Sequence, residues 1–525
     1  MSAQQSPWAP FQQRTFRFIW IATVFSNIGT WMHDVGAAWL MVTLTTDPLM
    51  IALIQAATAL PIFIFALPAG ALADIVDRRR YLLTIQCLML ITAAALAIVT
   101  WMGVTTPWSL VAFTFALGCG AAFSAPAWQA VTPELVPKAQ LGAAVALNST
   151  GINVSRAIGP ALGGLLIVLH GPVLTFALNA LTFIGIVFIL YRWQRQPTTT
   201  TLPTERFFNA IRTGLRYTRS SPPLRVVLVR AVAFFVFASV IWALLPLVAK
   251  TQLNQGAGGF GLLVGAIGLG AVIGAIQLPK LRRRFSSDQL VMIASGLIAC
   301  AAFGLAMISS LIAAIMLMLL VGMAWIMALS SLNVAAQSSA PDWVRARVLS
   351  VYLVAFFGSM AFGSGLWGWC AKTFSVNETL MIAAVAQLLG IIATTRFHLS
   401  KTVGIDLAPS GHWPTPMVST ELKPDQGPVL ITIEYNIEPA NRIEFSNCAQ
   451  SLQRMRKRDG AFFWSLFFDV SDPNKVIETF MVESWLEHLR QHERVTQADK
   501  ILQDKIRKLT KETQAPLVSH YVATV

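Results

Sequence analysis

The stretch Gly70-Ala71-Leu72-Ala73-Asp74-Ile75-Val76-Asp77-Arg78-Arg79-Arg80 decides how this chain is read. It is a short charged loop between two apolar runs, 49–70 and 82–103. Each run matches the roughly 20 apolar residues a membrane-spanning helix needs. The arginines fall where positive charge collects on the cytoplasmic side of a bilayer. The glycine permits close helix contact. A carboxylate among arginines can form a charge-assisted cluster that clamps one conformation and releases in another.

Outward from this loop the pattern repeats. Twelve spans are predicted, at 15–44, 49–70, 82–103, 108–130, 142–169, 173–192, 224–249, 258–279, 289–309, 311–335, 347–374 and 379–397. Composition agrees: 55% of the 525 residues are hydrophobic and 12% charged, with a mean hydropathy of +0.61. Ordinary globular chains carry about 25% charged residues. A set of soluble domains, a disordered chain, a collagen-like chain and a disulfide scaffold are all excluded. The first apolar stretch is too long for a signal peptide and reads as a retained helix.

Residues 1–400 hold 24 Lys and Arg against 9 Asp and Glu, while 401–525 hold 15 against 16. The net charge of +14 therefore lies in the apolar part. These basic residues sit between apolar runs, which points to anionic lipid rather than nucleic acid. With both termini cytoplasmic, 21 of the 24 fall at the inner ends; only Lys250 and Lys372 lie outside, and Arg156 lies mid-helix. The expectation is a multi-pass protein of the plasma (inner) membrane. Cys87, Cys119, Cys300, Cys370 and Cys448 form no CxxC pair, so neither a disulfide framework nor a zinc site is expected.

The predicted organisation is a six-helix bundle over 1–192, a cytoplasmic linker over 193–223, and a second six-helix bundle over 224–398. A linker over 399–428 and a soluble domain over 429–525 follow. In the first linker Phe207, Phe208, Ile211 and Leu215 share a helical face, with Arg206, Arg212, Arg216 and Arg219 around it. This reads as an interfacial helix on the inner leaflet, or alternatively as a regulatory docking helix. The two bundles are related. Pro133, Glu134 and Leu141 match Pro341, Asp342 and Leu349 at an offset of 208, and the loop 70–80 has a degraded counterpart at 274–284. Such repeats are common in transporters, with the substrate site between them.

The opening loop resembles the signature loop of the major facilitator superfamily, Gly-x-Leu-x-Asp-x-x-Gly-Arg-Lys/Arg. Asp77 stands where that family usually has glycine. Span 5 carries Gly151 and then Ser155-Arg156-Ala157-Ile158-Gly159-Pro160-Ala161-Leu162-Gly163-Gly164. Its Gly-Pro-x-x-Gly-Gly core is similar to the span-5 motif of proton-coupled exporters in that superfamily. Small residues there allow close helix approach, and a proline frees a carbonyl. With the span-1 stretch FSNIGTWMHDVGAAWLMVTLT and a polar tail, the chain resembles the transmembrane secretion effector branch, which includes the enterobactin exporter. The resemblance implies twelve helices, alternating access and export of small molecules.

Ionisable residues inside a membrane are functional candidates. Asp34, two thirds along span 1, and Arg156, near the middle of span 5, are the deep ones. The resemblance puts spans 1 and 5 in one bundle. Asp34 could exchange a proton while Arg156 binds an anionic substrate or expels the proton; or the two could form a static ion pair. His33 reads as an interfacial polar residue rather than a relay. Asn27, Gln55, Asn148, Asn153 and Asn179 are polar candidates for cavity lining or interhelical glue. Trp31, Trp39, Trp242, Trp367 and Trp369 are belt or wall residues. Gly70, Asp74, Asp77 and Arg78 to Arg80 are expected to gate the inner side, and Gly159, Pro160, Gly163 and Gly164 to shape span 5.

The tail reads β-α-β-β-α-β, the split βαβ order: strands within 428–437, 461–470, 475–484 and 517–525, and helices within 443–460 and 485–510. It is similar to the antibiotic-biosynthesis-monooxygenase type of dimeric ferredoxin-like domain. Trp485, His488 and His492 could share a helix face, yet the reading is a non-catalytic dimerising or sensing module. The aromatic run Phe462, Phe463, Trp464, Phe467 and Phe468 is expected to be core. No cofactor, metal or ATP motif is expected, and not an enzyme. The chain reads as a secondary transporter exporting a drug-like compound, siderophore or other metabolite by proton antiport. Its partners are the substrate, protons and lipid, with dimerisation through the tail. The alternatives are a membrane-anchored enzyme working through the tail, or a passive facilitator.

Overall fold

The computed structural model describes residues 6–193, 207–399, 406–414, 416, 423, 425–510 and 516–523. The described chain forms two compact units. The larger comprises 1–204, 228–333 and 352–397. It contains α1 (Arg14–Leu44), α2 (Pro48–Ile75), α3 (Arg78–Trp101), α4 (Pro107–Leu135), α5 (Leu141–His170) and α6 (Pro172–Arg192). Then come most or part of α8 (Pro222–Thr251), α9 (Ala257–Arg282), α10 (Ser287–Met307), α11 (Leu311–Ser338), α12 (Asp342–Thr373) and α13 (Val376–Thr394).

Local chemistry sets these ends. Pro48, Pro107 and Pro172 open their helices, where a missing N–H costs nothing. Asp47, Thr106, Ser286 and Ser375 accept from the first-turn amides of α2, α4, α10 and α13. Gly171, at φ 76°, turns the chain between α5 and α6.

Among the described residues, eleven helices are long and apolar enough to cross a membrane. The remaining expected span, 15–44, forms α1, 31 residues long, but Asn27, His33 and Asp34 interrupt its apolar run. Within the unit α1 packs on α5 and α6, α2 on α4, α3 on α6, α10 on α13, and α5 on α9.

The second unit comprises 205–227, 334–351 and 398–525. Its sheet has the antiparallel order β2-β3-β1-β4, from β1 (Val429–Asn436), β2 (Phe463–Phe468), β3 (Lys475–Val482) and β4 (Leu517–Val522). Alternation along β1 and β3 buries Val429, Ile431, Ile433, Tyr435, Val476, Phe480 and Val482. They pack with Phe445, Leu452 and Met455 of α14 (Arg442–Asp459). The single helix expected over 485–510 is two, α15 (Trp485–Arg494) and α16 (Gln497–Arg507). Thr496 breaks it by forming a capping box with Asp499.

The aromatic run is not all core. Trp464 packs on the core, but Phe462, Phe463, Phe467 and Phe468 are exposed. β2 is an edge strand, and Phe463 and Phe467 point to its uncovered face.

The linker helix α7 (Phe207–Ser220) joins this unit. Arg212 pairs with Glu483 at 2.5 Å and Arg216 with Glu487 at 3.1 Å. The structure therefore engages two arginines of the expected lipid-resting helix with tail carboxylates. Arg206 lies outside the described residues, as do the side chains of Phe207, Phe208 and Ile211.

Candidate functional site

A cavity of about 360 Å³ lies within the larger unit, lined from both sets of helices. Its polar groups come from α1–α5: Asp34, Gln55, Thr58, Thr114 and Arg156. Its apolar wall comes mainly from α8–α12: Trp242, Phe260, Trp325, Phe356 and Phe357. Trp325 centres that wall, 5.4 Å from Phe235, 5.6 Å from Trp242 and 6.2 Å from Phe356 between ring centroids. One side thus offers charge and hydrogen bonds, the other aromatic faces, which suits an amphipathic small molecule.

Asp34 and Arg156 both face this cavity. Among the described residues no ion pair joins them, so the static-pair arrangement is absent. The Arg156 guanidinium lies 5.7 Å from the Trp31 ring, and its buried Nε has no hydrogen-bond partner. Pro160 lies four residues on and has no N–H to offer the Arg156 carbonyl. Gly268 of α9 passes that freed carbonyl; a Cβ there would sit 2.6 Å from it.

The span-5 glycines are contact points. A Cβ at Gly159 would meet the Trp31 Cβ at 2.6 Å, and one at Gly163 the Met32 Cα at 3.0 Å. Gly164 meets Gly261 of α9 backbone to backbone, where an added Cβ would lie 2.8 Å from the Gly261 Cα. Gly159 and Gly163 thus seat α1, while Gly164 lets α5 touch α9.

The other predicted residues are dispersed. Of the asparagines and glutamine, Gln55 alone is among the cavity's lining residues. Asn148 donates to Thr132 Oγ1 at 3.2 Å, bridging α5 to α4. Asn179 is buried, its Oδ1 without a partner, and Asn27 and Asn153 lie away from the lining. His33 is buried against Phe176, 4.8 Å between centroids, rather than interfacial. Trp31 and Trp242 line the cavity; Trp367 donates to the Val236 carbonyl and Trp369 is exposed.

At the basic loop Arg78 donates to Glu134 Oε1 at 2.7 Å, tying the loop to the end of α4. Arg79 donates to the carbonyls of Leu190, at 2.9 Å, and Tyr191 at the C-terminus of α6. Asp77 N-caps α3, accepting from the Arg80 amide at 2.9 Å. That gives aspartate a role where the signature has glycine. Asp74 lies in the last turn of α2, but its side chain lies outside the described residues. Sequence reading missed the pair Arg230–Asp288, 2.9 Å apart, because neither residue stands out from the charges at helix ends.

At the end where α1 passes to α2 and α12 to α13, the two helix sets are bridged. Lys372 donates to Asp47 Oδ2 at 2.8 Å, and Lys250 to the Val42 carbonyl at 2.6 Å. The hydrogen bond from Lys372 holds the Asp47 carboxyl below its usual range.

The second unit has its own cavity of about 370 Å³, lined by His412, Trp413, Arg456, His488, His492 and His520 over an apolar floor. Arg456 is buried with Glu478, donating through Nε at 2.9 Å and Nη2 at 3.3 Å. Trp464 and Tyr435 each donate to the same carboxylate at 2.9 Å. Burial pushes the Glu478 carboxyl up, but the Arg456 charge and these hydrogen bonds outweigh it and hold it below the usual carboxylate range. Burial, then the neighbouring His492 and His520, push His488 down to about 3; burial, then His520, push His492 down to about 4. His520 reaches the cavity because β4 pairs with β1 in the register Ile431↔His520, on the sheet's buried face. Neither Arg456 nor His520 was legible as a cavity residue without that register.

A helical membrane unit with an amphipathic cavity between two sets of helices defines a transporter of the major facilitator type. The family described as transmembrane secretion effector matches residues 5–525, and the chain belongs to that family. It is 23% identical over 391 residues to the staphyloferrin A transporter of Staphylococcus aureus, spanning 73% of this chain and 96% of that one. It is 24% identical over 407 residues to the multidrug efflux pump Tap of Mycolicibacterium fortuitum, spanning 74% and 97%. In fold it is similar to a bacterial homolog of the human lysosomal transporter Spinster in an inward-facing state (TM-score 0.58, 14% identity, 75% of this chain and 98% of that one). The nucleoside transporter NupG is a second structural neighbour (TM-score 0.61, 12% identity, 73% and 99%). These are transporters, not enzymes.

Proposed function

We propose that this chain exports a small molecule across the plasma membrane by proton antiport, its two six-helix halves rocking around the cavity. The observation that carries the reading is that Asp34 and Arg156 share one cavity without an ion pair between them. A carboxylate facing a cavity, free of a fixed counter-charge, can take and release a proton as access alternates. Arg156, in the same cavity and over Trp31, is suited to an anionic group of the substrate or to expelling the proton electrostatically. The aromatic wall favours a partly apolar cargo, and the siderophore and multidrug transporters among the relatives support a metabolite or drug-like compound.

In this reading both termini are cytoplasmic, and the basic loop with Asp74 and Arg78 to Arg80 gates the inner side. The Lys372–Asp47 end faces outward. The tail is a ferredoxin-like module that senses or dimerises rather than catalyses. Its ion pairs with α7, in the linker between the proposed halves, support a sensing role. The exposed Phe463 and Phe467 supply an apolar face for a second copy.

The test compares small molecules in the medium of host cells with the intact chain, with Asp34→Asn, and without either, under an imposed pH gradient. A compound accumulating outside only with the intact chain supports the reading. Equal accumulation with Asp34→Asn removes the proton role from Asp34. A compound that equilibrates but never accumulates points to a passive facilitator.

A further inference from the structure

The three histidines of the tail cavity converge in a way the transport cycle does not use. His488 and His492 lie four residues apart on α15 and so project from one helix face. Their Nε2 atoms are 3.3 Å apart. His520 comes from β4, far off in sequence, and one ligand nitrogen from each ring lies within 4.8 Å of the other two. Nitrogens bound about 2.0–2.1 Å from a tetrahedral zinc lie about 3.3–3.4 Å apart. The α15 pair already has that spacing, and a small shift of the β4 ring completes a triangle.

We propose that His488, His492 and His520 form a binding site for a borderline divalent transition-metal ion of the zinc class, with its fourth coordination position open to the tail cavity. Three imidazoles and no thiolate or carboxylate is a donor set that suits Zn²⁺, Co²⁺, Ni²⁺ or Cu²⁺ rather than Mg²⁺ or Ca²⁺. The cavity of about 370 Å³ gives the ion a route in and leaves room for an oxygen-donor ligand beside it. Two buried groups fit this use. His488 Nδ1 and the Gln491 amide, three residues apart on α15, are both buried with no hydrogen-bond partner. A metal on Nε2 would fix the proton on Nδ1, where Gln491 could accept it, the usual support of a metal-binding imidazole. Arg456 contributes positive charge to this cavity, but its pairing with Glu478 offsets it. Its Nη1, buried without a partner, remains for an anionic fourth ligand.

The site stands or falls independently of the transport reading. The test uses the full chain in detergent, stripped with chelator and free of any affinity tag. Titration with Zn²⁺ by calorimetry is expected to give one ion per chain at micromolar affinity or tighter. His492→Gln and His520→Gln should each weaken binding by at least about 10-fold, with thermal unfolding of the metal-free variants unchanged. A spectrum of the unmodified chain with Co²⁺ needs no variant. Strong visible absorption of a four-coordinate, nitrogen-rich site supports the proposal, and the weak spectrum of an octahedral aquo ion overturns it. Binding that is only millimolar, or unchanged in both variants, also overturns it.

Discussion

Lys372 Nζ lies 2.8 Å from Asp47 Oδ2 and so joins the C-terminal end of α12 to the N-terminus of α2. The bond from Lys250 to the Val42 carbonyl lies at the same end. In the proposed rocking cycle, a bridge there holds that end closed and must break when it opens. Both partners are solvent-accessible, so the pair is worth about 0–1 kcal/mol. Lys372→Ala should therefore shift the open population up to about 5-fold, read as the distance between spin labels across this end. Because the bridge depresses the Asp47 carboxyl, its contribution is present above the ordinary carboxylate value of about 3.9. It is lost as pH falls through the lower folded value.

The Gly164–Gly261 contact should be less forgiving. Val at Gly164 would drive side-chain carbon into the α9 backbone, and overpacking costs about 1–3 kcal/mol. That corresponds to about 5- to 150-fold against the closed arrangement. Gly164→Val should still insert and fold, yet show raised labelling of cysteines placed beside Asp47 and lowered transport.

Arg156 and Trp325 stand on opposite walls of the cavity and should fail differently. Arg156→Gln should remove transport of anionic cargo while leaving the aromatic wall able to bind neutral compounds. Trp325→Ala should weaken binding of aromatic cargo by about 1 kcal/mol or more, roughly 5-fold or greater. Binding isotherms for a matched neutral and anionic pair of compounds separate the two.

In the tail, Glu478→Gln should leave Arg456 buried against a neutral amide and cost about 3–5 kcal/mol. Since the folded Glu478 carboxyl lies below its usual range, its stabilisation is full above about pH 4.3. It drains away as pH falls through the folded value. Hydrogen exchange in β1 and β3 of the full chain should show this acid-side loss in the parent and not in the variant.

Arg216→Ala should loosen α7 from α15. Hydrogen bonds to charged groups contribute about 1.5–3 kcal/mol, so exchange in the last turns of α7 should accelerate at least about 10-fold. An unchanged rate would mean that α7 is held by Tyr217, whose hydroxyl donates to the Ser339 carbonyl, rather than by the ion pairs.

Much of the larger unit was legible because a bilayer imposes a one-dimensional rule. Apolar runs of fixed length and basic residues between them mark helices and loops whatever their packing. The rule was weakest at α1, where Asn27, His33 and Asp34 lower the hydropathy for the sake of the interior. The tail's strands and first helix were legible from alternation and from Gly460, but its last helix was not. A capping box at Thr496 interrupts a pattern whose apolar spacing continues.

The sequence by itself determined the class of protein, the rough place of the apolar helices, and two deep charges, because these follow from composition and spacing along the chain. The tertiary structure decided which residues meet. Asp34 and Arg156 share a cavity without pairing, Asn148 bonds Thr132 instead of lining it, Lys372 finds Asp47, and His520 joins His488 and His492. Each of these depends on crossing geometry or strand register between residues from 16 to 325 positions apart. Local spacing carries no record of that geometry, since the same helix face or strand face can be set against many partners.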